Sequence, residues 1–235
     1  MKNSWKLDDF DSEIFGFRVA KIKVLDSKNV ADLIKDLIKN KVKYATCRVE
    51  SNNFSTIQVL EKSGLVLVDG LISLGINTLS TKIVAVASRI REANKNDLGQ
   101  LKSLTWGLYS VSRVYNDPLI SQDKADKFYI KWIENSILGQ AADLVLAWDQ
   151  DGKILGYVTL KKTGSIPLIG VSKQARGKGI AKELVKASLF KFKQWGVGEV
   201  IVETQMANIA ALRLYQDCGF KVVDSFLTLR WALNG

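Results

Sequence analysis

Apolar positions along this chain recur with two periods, and the switches between them mark alternating strands and helices. NVADLIKDLIKNKV places Val30, Leu33, Ile34, Leu37, Ile38 and Val42 on one side of a helix. It lies between two β-rich runs, FRVAKIKV and YATCRVE. A helix over 53–63 and an apolar strand, LVLVDGLISLGI, follow. NTLSTKIVAVAS (77–88) reads as a link or crossover, being too apolar for a floppy linker.

A new unit opens at Ser88, where SRIREANKNDLGQLKSLTW gives a strand, an Asp cap and a helix carrying Leu98, Leu101 and Leu104. A polar segment around Asp117-Pro118 precedes a helix, DKADKFYIKWIENSILG, ended by Gly139. Two apolar strands flank the hairpin turn Asp149–Gly152. IPLIGVS is a short strand in which Pro167 and Gly170 suggest a bulge or a departure from its neighbour. Beyond Gly179 a helix is clear from Ile180, Leu184, Val185, Ser188, Leu189 and Phe192. A buried strand (EVIVETQ), a helix over 208–218 and a closing strand (KVVDSFLTLRWAL) complete the chain. From residue 88 the order is β-α-α-β-β-β-α-β-α-β, which predicts an α/β fold with a mixed sheet and helices on its faces.

One unit appears twice. NFSTIQVLEKSGL begins at Asn53 and NIAALRLYQDCGF at Asn208, 155 positions later, and both run to a glycine followed by an apolar residue. The same offset pairs Val68 with Val223 and Asp69 with Asp224, but sets Leu60 against Tyr215. The expected division is residues 1–80 as a smaller half, structural or acceptor-binding, and 88–235 as the half that carries chemistry.

Composition narrows that chemistry. The 235 residues contain no histidine, which removes histidine general bases, Ser-His and Cys-His nucleophiles and most zinc sites. Cys47 and Cys218 make no disulfide framework, and no signal or membrane-spanning run is present, so a soluble, cytoplasmic protein without a membrane partner is expected. The net charge of +10 is uneven: between Lys161 and Lys193 stand nine lysines and arginines against one acid, Glu183. Such a stretch favours a polyanionic partner, a phosphorylated ligand among them, or is a solvated helix face.

QARGKGIAKEL (174–184) concentrates this charge where a helix begins. Free N–H groups and the dipole at a helix start hold phosphate, and Gly177 and Gly179 let backbone approach it, with Arg176, Lys178 and Lys182 as counter-charge. A Walker A loop would need a hydroxyl where Gly179 stands, and a dinucleotide fingerprint a small residue where Lys182 stands.

Gln174-x-x-Gly177-x-Gly179, followed by Asn208, Ala211, Tyr215 and Gly219 at these spacings, resembles the GNAT acetyltransferases. The segment before the loop, GVSKQ, lacks the proline common there. The resemblance implies a GNAT acyltransferase fold preceded by a smaller, degenerate GNAT-like half, with acetyl-CoA as co-substrate and no metal. It implies that Gln174, Ala175, Arg176, Gly177, Lys178, Gly179, Ile180 and Ala181 wrap the pyrophosphate. It also implies that Ile169, Gly170 and Val171 contact the pantetheine and thioester, with the Val171 N–H as oxyanion donor, and that Asn208 assists. DSEIFGFRVAKI, KFYIKWIENSILG, GYVTLK and VETQMANIAALRLY together resemble more narrowly the dTDP-fucosamine acetyltransferases, which N-acetylate a dTDP-linked 4-amino-4,6-dideoxygalactose.

Amide formation from a thioester needs a neutral amine, oxyanion stabilisation and a proton for the departing thiolate. Asn208, Ala211 and Tyr215 share a helical face, and a phenol with an ordinary pKa of about 10 can serve a thiolate of about 8.5. The family resemblance gives Tyr215 that role; otherwise it is a core aromatic, and Asn208 a helix cap. No base is evident, although Glu203 lies on the preceding strand. Cys218 reads as a small buried residue rather than a nucleophile. Acetylation of a nucleotide-linked amino sugar leads. A peptide or other small amine as acceptor, a CoA-binding regulatory module without turnover, and nucleic-acid binding through the 161–193 cations are the other readings, the last ranked lowest. Apolar surface on the amino-terminal half leaves room for a homodimer face.

Overall fold

In a computed structural model, residues 4–23, 30–80 and 87–233 are described. They form ten strands and eight α-helices: β1 (Trp5–Leu7), α1 (Asp9–Phe15), β2 (Val19–Ile22), α2 (Val30–Lys39), β3 (Tyr44–Glu50), α3 (Phe54–Lys62), β4 (Val66–Asn77), β5 (Ile90–Glu92), α4 (Leu98–Thr105), α5 (Arg113–Asn116), α6 (Gln122–Ile137), β6 (Leu144–Gln150), β7 (Lys153–Leu160), β8 (Ile169–Val171), α7 (Ile180–Gln194), β9 (Glu199–Gln205), α8 (Ile209–Asp217) and β10 (Lys221–Ala232). The fold is the expected mixed α/β arrangement, and part of the predicted link, residues 81–86, lies outside the described residues.

The chain divides into two compact units, one drawn from 1–71, 111–125 and 224–235, the other from 72–110 and 126–223. These limits are not those of the 1–80 and 88–235 division: residues 111–125 and the far end of β10 count with the first unit, and the far end of β4 with the second.

In the first unit β1 pairs antiparallel with β2, β2 parallel with β3, and β3 antiparallel with β10 from Phe226↔Glu50 to Ala232↔Tyr44. Leu33 and Leu37 of α2 and Ile57 and Leu60 of α3 pack with Ala45, Cys47, Val49 and Leu229 in one core. A buried polar network stands beside it. Asp117, whose side chain has no exposed surface, accepts from Tyr44 Oη at 2.8 Å, from Arg230 Nη1 at 2.9 Å and from the Leu119 N–H at 3.0 Å. Arg113 donates to Asp11 at 3.2 Å.

In the second unit β5, β6, β7 and β8 form an antiparallel meander, and β4 neighbours β9. The 149–152 turn is a hairpin as expected, with the Gly152 N–H donating to Asp149 Oδ1 at 2.8 Å. The Asp cap before α4 takes a different form. Asp97 closes a capping box with Asn94 on a 3-10 turn and holds Arg91 at 2.8 Å, while α4 itself has no side-chain cap. The strand expected over IPLIGVS is pared to Ile169–Val171, since Pro167 has no N–H for a ladder.

The duplication is reproduced element by element. β3, α3 and β4 begin and end 155 residues before β9, α8 and β10. Asn53 and Asn208 cap their helices alike, at φ/ψ −86/64 and −86/67, each accepting at 3.2 Å from the N–H three residues on. Both helices end on a left-handed glycine, Gly64 at φ 86° and Gly219 at φ 91°. The segment before α2, where the first half's counterpart of the phosphate loop would fall, includes residues 24–29 outside the described set.

Candidate active site

The second unit opens where two strands part. Ser165 bridges Ile201 in parallel, and the Ile201 N–H donates to Gly164 O at 2.8 Å. Beyond that bridge β8 ends one sheet and β9 ends the other. The edge chemistry of β8 follows from its register. The Thr159 N–H donates to Leu168 O and the Ser172 N–H to Leu155 O, both at 2.9 Å, so 168, 170 and 172 turn their polar groups to β7. By strand alternation Ile169 and Val171 present N–H and C=O to the opening. The expected oxyanion donor, the Val171 N–H, therefore lies on an unpaired edge.

Gly170 is glycine for packing: a Cβ there would collide with Leu108 and stand 3.2 Å from the Tyr157 ring. Past β8 a 3-10 turn, Lys173–Ala175, leads to Gly177 and Gly179 at φ 77° and 78° and then into α7. Nothing lies within 4 Å of a Cβ built on either glycine, so conformation, not crowding, requires them. The side chains of Gln174, Arg176 and Lys178 are exposed; those of Ala175 and Ile180 are buried in the core, leaving only their backbone to face a ligand. Ala181 is half-buried. Among the described residues Arg176, Lys178 and Lys182 make no ion pair, whereas Lys186 and Lys191 are committed to Glu183 at 2.7 Å and Glu92 at 2.9 Å. The free cations of this basic stretch thus include those at the helix start.

Tyr215 is buried, its ring 5.5 Å from Phe220, and its hydroxyl makes no hydrogen bond among the described residues. Burial raises its pKa well above that of an ordinary tyrosine, with a further push from Cys218. It is therefore a neutral phenol, from which complete proton transfer to a thiolate is harder than from an unperturbed tyrosine. Asn208 is the cap of α8, its Oδ1 taken by the Ala211 N–H, so the structural role expected for it is present. Glu203 is exposed and accepts from Ser73 Oγ at 3.1 Å. Burial raises the Cys218 thiol pKa, an effect opposed by Lys182 and Lys186, which leaves little thiolate for a nucleophilic route.

Three hydroxyls escape the sequence reading. Tyr109 Oη donates to Ile169 O at 3.2 Å and lies 2.9 Å from Tyr157 Oη, which is 2.8 Å from Thr105 Oγ1. The turn after α4 that delivers Tyr109 is pinned by Asp126, which accepts from the Gly107 N–H at 2.9 Å. Tyr109 stacks on Tyr129 with ring centroids 4.3 Å apart. Burial keeps both phenols protonated, pushing Tyr157 up to about 12 and Tyr109 well above the usual value. Nothing in LYSVSRVY, which has no clear period, marks Tyr109, and Tyr157 reads as a core residue of an apolar strand.

No group of three or more potential metal ligands occurs among the described residues, and no helix there is long and apolar enough to cross a membrane.

Comparison with known proteins agrees with this geometry. Residues 108–220 match the Acetyltransferase (GNAT) family. A dTDP-fucosamine acetyltransferase of Escherichia coli O6:H1 is 28% identical over 179 residues, covering 74% of this chain and 75% of that one. The peptidyl-lysine N-acetyltransferase YiaC of Escherichia coli K12 is 29% identical over 140 residues, 57% of this chain and 84% of that one. A crystal structure of a GCN5-related N-acetyltransferase from Sphaerobacter thermophilus superposes with a TM-score of 0.66 at 15% identity, covering 98% of this chain and 76% of that one, a likeness of fold. The family uses acetyl-CoA as co-substrate, and the parted strands, the glycine loop and Tyr215 all fall within the matched residues. This chain carries a GNAT acetyltransferase domain and is an acetyl-transferring enzyme.

Proposed function

We propose that the enzyme moves the acetyl group of acetyl-CoA directly to the amine of a nucleotide-linked amino sugar of the dTDP-4-amino-4,6-dideoxygalactose type. The observation that carries the sugar is the reach of the similarity to the dTDP-fucosamine acetyltransferase. Its 179 aligned residues are more than 88–235 contains, so they draw on the amino-terminal half as well. A likeness in the catalytic domain alone would speak only for acetyl transfer.

In this reading the N–H groups of Gly179, Ile180 and Ala181 at the start of α7 bind the pyrophosphate, and Arg176, Lys178 and Lys182 balance its charge. The edge of β8 at Val171, with the Ile169 N–H beyond it, holds the pantetheine arm as an added strand would be held. The Val171 N–H stabilises the oxyanion that forms as the neutral amine attacks the thioester carbon. As the C–S bond breaks, Tyr215 donates to the departing sulfur, and the proton lost by the nitrogen passes to water. Residues 1–80 take no part in the chemistry: Leu60 and Arg48 occupy the positions that Tyr215 and Glu203 hold in the second copy.

Free-thiol release from acetyl-CoA tests this against dTDP-4-amino-4,6-dideoxygalactose, its gluco epimer, an unlinked amino sugar and a basic peptide. Turnover confined to a dTDP-amino sugar is expected. Turnover with the peptide alone would overturn the sugar assignment and leave the acetyl-CoA chemistry intact.

A further inference from the structure

The β8 edge is not open along its whole length. Counting back from the glycine loop, the polar groups facing the opening belong first to Val171 and then to Ile169, and Ile169 O is already taken by the Tyr109 hydroxyl. An arm running from the loop along β8 therefore meets the Val171 edge, and then the Tyr109 side chain. That side chain is held from several directions. Its hydroxyl joins Tyr157 and Ile169, its ring stacks on Tyr129, which stacks in turn on Trp132 at 6.1 Å, and its turn is fastened by Asp126. Leu108, one residue earlier, fills the space over Gly170. Tyr109 also lies close enough to Tyr215 for the two phenols to influence each other electrostatically.

We propose that the Tyr109 ring, held in place by its stacking on Tyr129 and by the Asp126-fastened turn, is the stop that limits the acyl group to acetyl. The proposal rests on acetyl-CoA occupying that edge. A thioester placed on the Val171 N–H has its acyl chain directed past Ile169 toward the ring, so each added methylene meets a side chain that cannot swing away. Tyr109 is on this account a specificity-determining residue, and the acceptor amine is irrelevant to its effect.

The test is calorimetric binding of acetyl-, propionyl- and butyryl-CoA to the full chain and to Y109F, Y109L and Y109A, each checked for folding by thermal melting. The parent is expected to bind acetyl-CoA more tightly than butyryl-CoA. Y109F keeps the ring and therefore keeps the parent's ratio. Y109A and Y109L shift the ratio toward butyryl-CoA by on the order of tenfold, the worth of burying two methylenes. Y109L retains apolar filling against Tyr129 and stands in should Y109A fail to fold. An unchanged ratio in the folded small-residue variants, or a parent indifferent to chain length, overturns the proposal while leaving acetyl-CoA binding intact. A parent that binds none of the three thioesters would instead overturn the acetyl-CoA site itself, and this inference with it.

Discussion

Replacing Tyr215 by Phe removes one oxygen and leaves the ring 5.5 Å from Phe220. That oxygen has no hydrogen-bond partner among the described residues, so its loss strands no buried donor or acceptor. Folding stability should therefore change by no more than about 0.5 kcal/mol, the range of a substitution that disturbs no named interaction. The effect on rate is of another size. Removing a positioned proton donor costs roughly 10²- to 10⁴-fold in turnover. Burial already holds the Tyr215 pKa up, which makes complete transfer to a thiolate less favourable and gives hydrogen bonding to sulfur the larger share. The lower end follows: a loss in kcat of about 100-fold, or about 2.7 kcal/mol in the barrier. Thiol release at saturating acetyl-CoA and acceptor measures it, with acetyl-CoA affinity measured alongside and expected to stay within about twofold, since the phenol acts on the leaving group rather than in ground-state binding. A Y215F enzyme within threefold of the parent would refute the assignment and raise the standing of a non-catalytic CoA-binding protein.

Three further outcomes follow from the same structure. With no histidine in the chain, the rise of kcat/KM with pH between about 6 and 9 should report the acceptor amine losing its proton. Because the Tyr215 pKa is raised, its required protonated form persists beyond the ordinary tyrosine range, so no fall should appear below about pH 10; a fall there that disappears in Y215F would contradict the burial argument. Gly179→Ala puts a Cβ on a residue at φ 78° and should cost roughly 1 kcal/mol of stability while weakening acetyl-CoA binding at least about tenfold, read by melting and calorimetry. Arg230→Met leaves the fully buried Asp117 without its cation and should cost about 3–5 kcal/mol in urea denaturation, with part recovered in R230M/D117N; a loss under about 1 kcal/mol would mean that water replaces the guanidinium.

Elements with a strong period were legible from the sequence. YATCRVE and EVIVETQ are β3 and β9 to the residue, and the helices after Asn53 and Asn208 begin where their caps predict. The glycine loop was legible too, because left-handed conformations at Gly177 and Gly179 leave a compositional trace. What escaped is tertiary. β1 and α1 are short, and α1 is fastened by Asp8 accepting from the Asp11 N–H and by Gly16 at φ 72°, signals easily lost in an acidic stretch. The Thr105–Tyr157–Tyr109 relay joins a helix end, a strand and a loop; hydroxyls 52 and 48 residues apart in sequence announce no partnership.

In the duplicated unit the proton donor proposed for one copy stands against a core leucine of the other. Leu60 sits in the first core with 1% of its surface exposed, where a fully buried leucine contributes about 1.5–3 kcal/mol. Tyr215 at the matched position is as well buried, yet its hydroxyl makes no hydrogen bond to a described residue. The polar interior of the first unit is of the opposite kind. Tyr44 Oη and Arg230 Nη1 both donate to Asp117 and Arg113 donates to Asp11, although Arg230 Nε is buried without a partner among the described residues. A donor already engaged has little to offer a reacting sulfur; an unengaged one has its whole hydrogen bond to give. By that criterion the unengaged hydroxyl of the second copy is the one to test for chemistry, and Y215F is the variant that tests it.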